Sequence, residues 1–281
     1  MKIIKPYYTI LSNISDGGIK ELQFIEQAAR TCYKSENKIT EDGESAKALI
    51  KQLIKSGHEA MLEHSSLSVK FVVDRGVSHE IVRHRLFSFA QESTRYCNYS
   101  KGKFGSELTF IEPCFWDEDS NFYLMWKLCC MEAEKDYIRF IEDGATPQEA
   151  RTVLPNSVKT ELIVTGNYRE WRHFFKLRTD KAAHPQMREV TIPLLAELQR
   201  RIPIVFDDIR VVDAEQMTRN KEGRPLAYWY APASYKSAEY CSNCHERTRS
   251  EGDDGEKYCI NCGAEMIDEQ AYRKMHDRGL C

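Results

Sequence analysis

Arg83, His84 and Arg85 stand between Ile81-Val82 and Leu86-Phe87, three adjacent polar side chains inside an apolar run. Residues 77–92 carry a helical pattern, and consecutive residues of a helix point about 100° apart. Such a triplet cannot form one solvated stripe, so the fold must bring some of these side chains to a boundary where polar or anionic partners converge. Spacing alone also allows a plainer reading, a charged helix face with Glu80 and Glu92 supplying the acids.

The rest of the composition offers little surplus positive charge. Forty Lys+Arg against 43 Asp+Glu leave a net charge of −3, which excludes a basic nucleic-acid coat and requires any anion site to be local. With 42% hydrophobic and 30% charged residues the chain is not a disordered one. Its 281 residues suit one large domain with a small appendage. There is no run of 18 apolar residues, and Met1-Lys2-Ile3-Ile4-Lys5 lacks a signal-peptide stretch. The expectation is a soluble, cytoplasmic protein with no membrane partner.

Strand and helix signals alternate. Residues 2–11 are β-rich, and helical patterns follow over 18–34 and 44–56, the second stopping at Gly57. Leu67, Val69, Phe71 and Val73 alternate with polar residues as a half-buried strand that Gly76 breaks. A long helix spans 119–143, bounded by Gly144. Thr146-Pro147-Gln148-Glu149 opens a short one that ends at Leu154-Pro155, with Thr as N-cap, Pro at N1 and Glu at N3. Val158, Thr160, Leu162 and Val164 mark another strand, and Asn167 with Glu170 starts a helix bearing Trp171, Phe174 and Phe175. A last helix follows Pro185, with Pro193 kinking it. These elements predict an α+β fold, helices on a mostly antiparallel sheet.

The ten cysteines fall into two groups. Cys32, Cys97, Cys114, Cys129 and Cys130 are scattered and read as small core hydrophobes. Cys241-Ser-Asn-Cys244, fourteen residues, then Cys259-Ile-Asn-Cys262 has the spacing of a zinc ribbon. Roughly 27 residues cannot bury a core, so metal would supply the folding free energy. A redox dithiol or an iron site are the other readings, and Cys281 is expected to be free. Lys236, Arg247, Arg249 and Lys257 are balanced by Glu251, Asp253, Asp254 and Glu256, which speaks against nonspecific nucleic-acid binding. The expected division is 1–215 main domain, 216–239 connecting segment, 240–266 ribbon-like module and 267–281 tail.

Arg83-His84-Arg85, seven residues, Ser93 and then Arg95-Tyr96 resembles the signature of the flavin-dependent thymidylate synthases. Gly57-His58-Glu59 and Glu63-His64 upstream, Ala150-Arg151-Thr152-Val153-Leu154-Pro155, and Asn167-Tyr168-Arg169 with His173-Phe174 and Leu177-Arg178 resemble further blocks of that family, over residues 57–190. The resemblance implies methylation of dUMP to dTMP with 5,10-methylenetetrahydrofolate as carbon donor and NADPH as reductant. It also implies FAD as cofactor and a homotetramer with flavin sites at subunit interfaces. His58, Arg83, His84, Arg85, Asn167, Arg169 and His173 would hold FAD. Gln91, Ser93, Arg95, Arg151 and Arg178 would hold dUMP, with Arg178 and Ser93 nearest the chemistry. Every such ligand is anionic, and guanidinium groups match phosphate oxygens bidentately. No cysteine is marked as a nucleophile, and Ser93 lacks an adjacent base in sequence.

Two positions depart from the family's pattern. Gln186 stands where an acid is common, and Glu80 where a member can carry glutamine. The resemblance leaves open a relative acting on UMP or a hydroxymethylating variant. From another class, a zinc-ribbon nucleic-acid-binding protein without catalysis also fits the C-terminal pattern.

Overall fold

A computed structural model of the chain describes residues 1–100 and 107–211, Asp16 by its backbone alone, and beyond them only the backbone of five short strands. The chain divides into two compact units, Met1–Arg210 and Val211–Cys281. In the first unit, β1 (Lys2–Ile4) and β2 (Tyr7–Ile10) precede α1 (Ile19–Thr31) and α2 (Glu44–Lys55). A 3₁₀ turn at Glu59–His64 leads into β3 (Ser66–Asp74), then α3 (Arg75–Ile81) and β4 (Ser88–Gln91). β5 (Thr109–Ile111), α4 (Asn121–Glu142) and α5 (Pro147–Ala150) follow, and β6 (Lys159–Asn167), α6 (Tyr168–Arg178) and α7 (Pro185–Arg201) complete the unit.

The alternation at 66–74 forms the central strand. β3 pairs antiparallel with β6 along its whole length, Ser66 opposite Asn167 and Asp74 opposite Lys159. With β2 and β4 outside them the order is β2-β3-β6-β4, all antiparallel. The fold is α+β, as the sequence suggests. Leu67, Val69, Phe71 and Val73 are buried, and α6 lays Trp171, Phe174 and Phe175 against them. The Phe71 and Trp171 rings lie 6.3 Å apart, and the Trp171 indole donates to the Leu67 carbonyl at 3.0 Å. Opposite-face positions carry polar cross-strand pairs, such as the Ser68 and Thr165 hydroxyls at 2.8 Å and the Lys70–Glu161 ion pair.

Arg172, fully buried on α6, ties this core to the chain on either side. Its guanidinium donates to Glu59 at 3.0 Å and to both carboxylate oxygens of Asp208 at 2.6 and 2.7 Å. A separate cluster joins Phe110 of β5, Val158, and Cys130 and Tyr137 of α4.

Three expectations are corrected. Residues 77–92 are not one helix: α3 ends at Ile81, the triplet lies in turns, and β4 runs from Ser88. The reason is tertiary. β4 finds an open edge on β6, and Phe87 fills the space above Gly166, where a Cβ would come within 2.0 Å of the ring. Gly76 does not break β3 but sits in the first turn of α3, whose N-cap is Asp74, accepting from the Val77 N–H at 2.8 Å. Of the scattered cysteines only Cys130 is a buried core residue; Cys32, just past α1, Cys114, between β5 and α4, and Cys129, on the outer side of α4, are exposed.

In the second unit, Trp229–Tyr230, Ala238–Cys241 and Arg247–Ser250 form a three-stranded antiparallel sheet, and Leu226–Ala227 pairs with Glu265–Met266. Cys244, Cys259, Cys262 and the Cys241 side chain lie outside the described residues, as do Cys281 and most of the connecting segment.

Trp171 is both the largest buried side chain on α6 and a donor to β3. Trp171→Ala is expected to destabilise the protein by about 3–5 kcal/mol, read as a lower midpoint in urea unfolding.

Candidate active site

His84 points inward and its two arginine neighbours outward: His84 is 5% exposed, while Arg83 and Arg85 are exposed. The His84 Nε2 accepts from Arg178 Nε at 3.0 Å. Its remaining proton therefore sits on Nδ1, which faces a Glu170 carboxyl oxygen at 3.4 Å. Rings of Phe174, His173 and Phe87 surround the imidazole with centroids at 4.9, 5.7 and 6.0 Å. Burial, then the charges of Arg178 and His173, lower the His84 pKa from 6.5 to about 4. Burial raises that of Glu170. His84 is thus neutral near pH 7, and its contact with Glu170 is not an ion pair.

Arg178 is held on three sides. Besides His84, its guanidinium donates to the Glu80 carboxylate at 2.8 Å and to the Glu80 carbonyl at 3.0 Å. Glu80 therefore turns toward Arg178, which settles its orientation. α6 delivers Glu170, His173 and Arg178 together because its start is fixed: the Asn167 side chain accepts from the Glu170 N–H at 2.9 Å.

These groups line a cleft of about 910 Å³. Arg83, Arg85, Arg169, Lys176 and Arg178 face it against Glu59, Glu63 and Glu170. Arg169 pairs with Glu63 at 2.6 Å and Lys176 with Glu59 at 3.5 Å. Arg83 and Arg85 have no ion pair among the described residues, so two guanidinium groups remain available to an anion.

The residues singled out in the sequence separate into two groups on the chain. Arg83, His84, Arg85, Asn167, Arg169, His173 and Arg178 all line the cleft. His58 does not; it is exposed at the start of the 3₁₀ turn whose next residue, Glu59, does. Gln91, Ser93, Arg95 and Arg151 gather at and beyond the end of β4. Gln91 donates to Ser78 and Thr160 hydroxyls at 3.0 and 3.2 Å, and Arg151 donates to Thr94 at 3.2 Å. The Ser93 hydroxyl accepts the Arg95 N–H at 3.3 Å, and the Arg95 guanidinium lies 5.4 Å from the Tyr96 ring centre. Arg178, grouped with the nucleotide residues by resemblance, stands with the first set. Glu170 and Thr94 escaped the sequence reading as site residues. Glu170 carried a signal, the N3 position three residues before His173; Thr94 carried none beyond its place between Ser93 and Arg95.

The His84 shift sets a pH dependence. As pH falls the unfolded chain takes up the proton first, so this stabilisation is complete above pH 6.5 and is lost progressively toward about pH 4. His84→Gln is expected to flatten the fall in unfolding free energy across that window; an unchanged slope would contradict a buried neutral imidazole.

No helix among the described residues is long and apolar enough to cross a membrane. Residues 19–204 match the model of the thymidylate synthase complementing protein family, Thy1. The chain is 30% identical over 214 residues to a flavin-dependent thymidylate synthase of Corynebacterium aurimucosum, covering 70% of this chain and 84% of that one. It is 33% identical over 189 residues to the enzyme of the same name from Pyrococcus abyssi, covering 65% and 76%. Its fold resembles the crystal structure of a UMP/dUMP methylase from Streptomyces cacaoi bound with 5-Br dUMP, with a TM-score of 0.60 at 21% identity, over 74% of this chain and 96% of that one. Matched over residues 19–204 and about 30% identical to named relatives along most of that span, the chain belongs to the Thy1 family of enzymes.

Proposed function

We propose that the protein is a flavin-dependent thymidylate synthase. It methylates dUMP to dTMP with 5,10-methylenetetrahydrofolate as carbon donor and NADPH as reductant. The observation that carries this reading is the pair of guanidinium groups, Arg83 and Arg85, without an ion pair among the described residues, on a cleft of about 910 Å³ floored by neutral His84. FAD is a long ligand with a diphosphate, and both the cleft's size and its cations suit it. When bound, FAD would supply the hydride chemistry. Arg83 and Arg85 would take the phosphates, while Asn167, Arg169, His173 and His84 shape the remaining wall. His58, exposed beside the cleft, would reach the same cofactor only from its rim.

Gln91, Ser93, Arg95 and Arg151 would bind dUMP, the arginines at its phosphate. Because they stand apart from the cleft on one chain, a complete site is best supplied by neighbouring subunits, which favours a homotetramer. Arg178 would stabilise negative charge developing on the uracil carbonyl–imide edge. Glu80 and His84 keep its guanidinium oriented before substrate arrives, so less ordering remains for binding. Ser93 has no base hydrogen-bonded to its hydroxyl among the described residues and would serve to bind, while its neighbour Cys97 stays outside the chemistry. The C-terminal Cys241, Cys244, Cys259 and Cys262 would hold a structural zinc ion.

Purified protein given dUMP, methylenetetrahydrofolate and NADPH is expected to form dTMP, with UMP as the control substrate; turnover of UMP instead would overturn the dUMP assignment. Arg178→Ala is expected to lower kcat by about 10²–10³-fold, and full turnover in that variant would refute its role. Metal analysis is expected to return one zinc per chain, and protein free of metal yet fully folded would overturn the ribbon reading.

A further inference from the structure

A second cavity, of about 250 Å³, has the opposite polarity to the cleft. Its lining comes from the start of α3, the segment between β5 and α4, Asn156-Ser157, and the start of α7. No lysine or arginine lines it, whereas Asp74 and Glu80 do. A neighbouring cavity of about 240 Å³ shares Pro113 and Trp116 with it and sets Glu112, Asp117, Glu118 and Glu189 against Lys5. Carboxylates outnumber basic groups in the lining of both.

Asp74 singles out the first of these as more than an acidic surface. Its residue is 5% exposed, and only one carboxylate oxygen is accounted for, the one that accepts the Val77 N–H. The other, Oδ2, is buried with no hydrogen-bond partner among the described residues. Leaving such an oxygen unmatched costs about 1–3 kcal/mol, more when it is charged. Burial raises the Asp74 pKa even though backbone N–H groups and His184 pull it down. That oxygen lacks a donor.

The surrounding side chains restrict what that donor can be. Phe115 and Trp116 lie 5.8 Å apart by ring centres, and Phe115 meets the His184 ring edge-on at 5.6 Å. Trp116 remains 38% exposed, a large aromatic surface at the mouth of a negative cavity. Aromatic faces beside carboxylates favour organic cations. A metal ion fits poorly, since no trio of His, Cys, Asp and Glu among the described residues is placed to hold one. A phosphate or carboxylate ligand would meet like charge.

We propose that this cavity binds a small flat organic cation of the amidinium or guanidinium class, its N–H edge on Asp74 and its plane against Trp116. Glu80 lines the cavity and also pairs with Arg178, so the occupant sits next to the main cleft without sharing its ligand chemistry. The site stands independently of the proposed reaction, and turnover of dUMP is not its readout.

Titration of the full chain with benzamidine, followed by calorimetry, tests it. Saturable binding at one site per chain is expected, with neutral benzamide at least about tenfold weaker. Asp74→Asn keeps an oxygen to cap α3 and replaces the other with an amide donor, so it is expected to weaken benzamidine by about tenfold or more. Trp116→Ala, on an exposed wall, provides a second variant and should also weaken binding. The proposal is overturned if no saturable binding occurs or if benzamide binds as well as benzamidine. It is equally overturned if the variants that fold like the wild type, judged by circular dichroism, retain its affinity; should Asp74→Asn not fold, Trp116→Ala decides.

Discussion

The seat of Phe87 on Gly166 is the contact from which the candidate site follows. With no Cβ at Gly166, the ring drops against β6 and reaches Trp171 with centroids 4.6 Å apart. That anchor accompanies the chain's departure from helical geometry after Ile81, six residues ahead of β4. His84 is drawn into the aromatic layer, and Arg83 and Arg85 are left on the outside of the turn. Had α3 continued, the same three residues would have fanned around a helix, and no two arginines would have flanked one buried imidazole on a common cleft.

Burial itself favours the neutral imidazole of His84. Arg178 adds to this by donating to Nε2 while its own charge is taken by Glu80. The four groups His84, Glu170, Arg178 and Glu80 therefore stand as a unit, and Asn167 fixes the helix that carries two of them. A protein of net charge −3 nevertheless offers a cationic cleft, because its charge is sorted by element. Arginines of the triplet turn and α6 face one cavity; acids of α3, the β5–α4 segment and α7 face two others.

Elements with local causes were readable in the sequence. β3 declares itself by alternation and α6 by Asn167 and Glu170. α5 does so through the Glu149 carboxylate, which reaches back to the Thr146 N–H at 2.8 Å. The triplet's conformation was not readable, since it depends on a glycine far along the chain that only the sheet brings near. β1 and β5 are three residues each and pair parallel, a pairing without a periodic signal. In the site, the arginines and histidines were found as residue types, but their division into two groups belongs to the fold. Nothing in the sequence marks Asp74; its unmatched oxygen exists only in the fold that buries it.

The central claim is that Arg83 and Arg85, left by the turn without an ion pair among the described residues, form the flavin's anion site. Titrating flavin-stripped protein with FAD, by absorbance and fluorescence quenching, tests it most directly when the wild type is compared with Arg83→Ala/Arg85→Ala. One FAD per chain in the wild type, and affinity weakened by about 100-fold or more in the folded double variant, is the predicted result. Undiminished FAD affinity in that variant would contradict it.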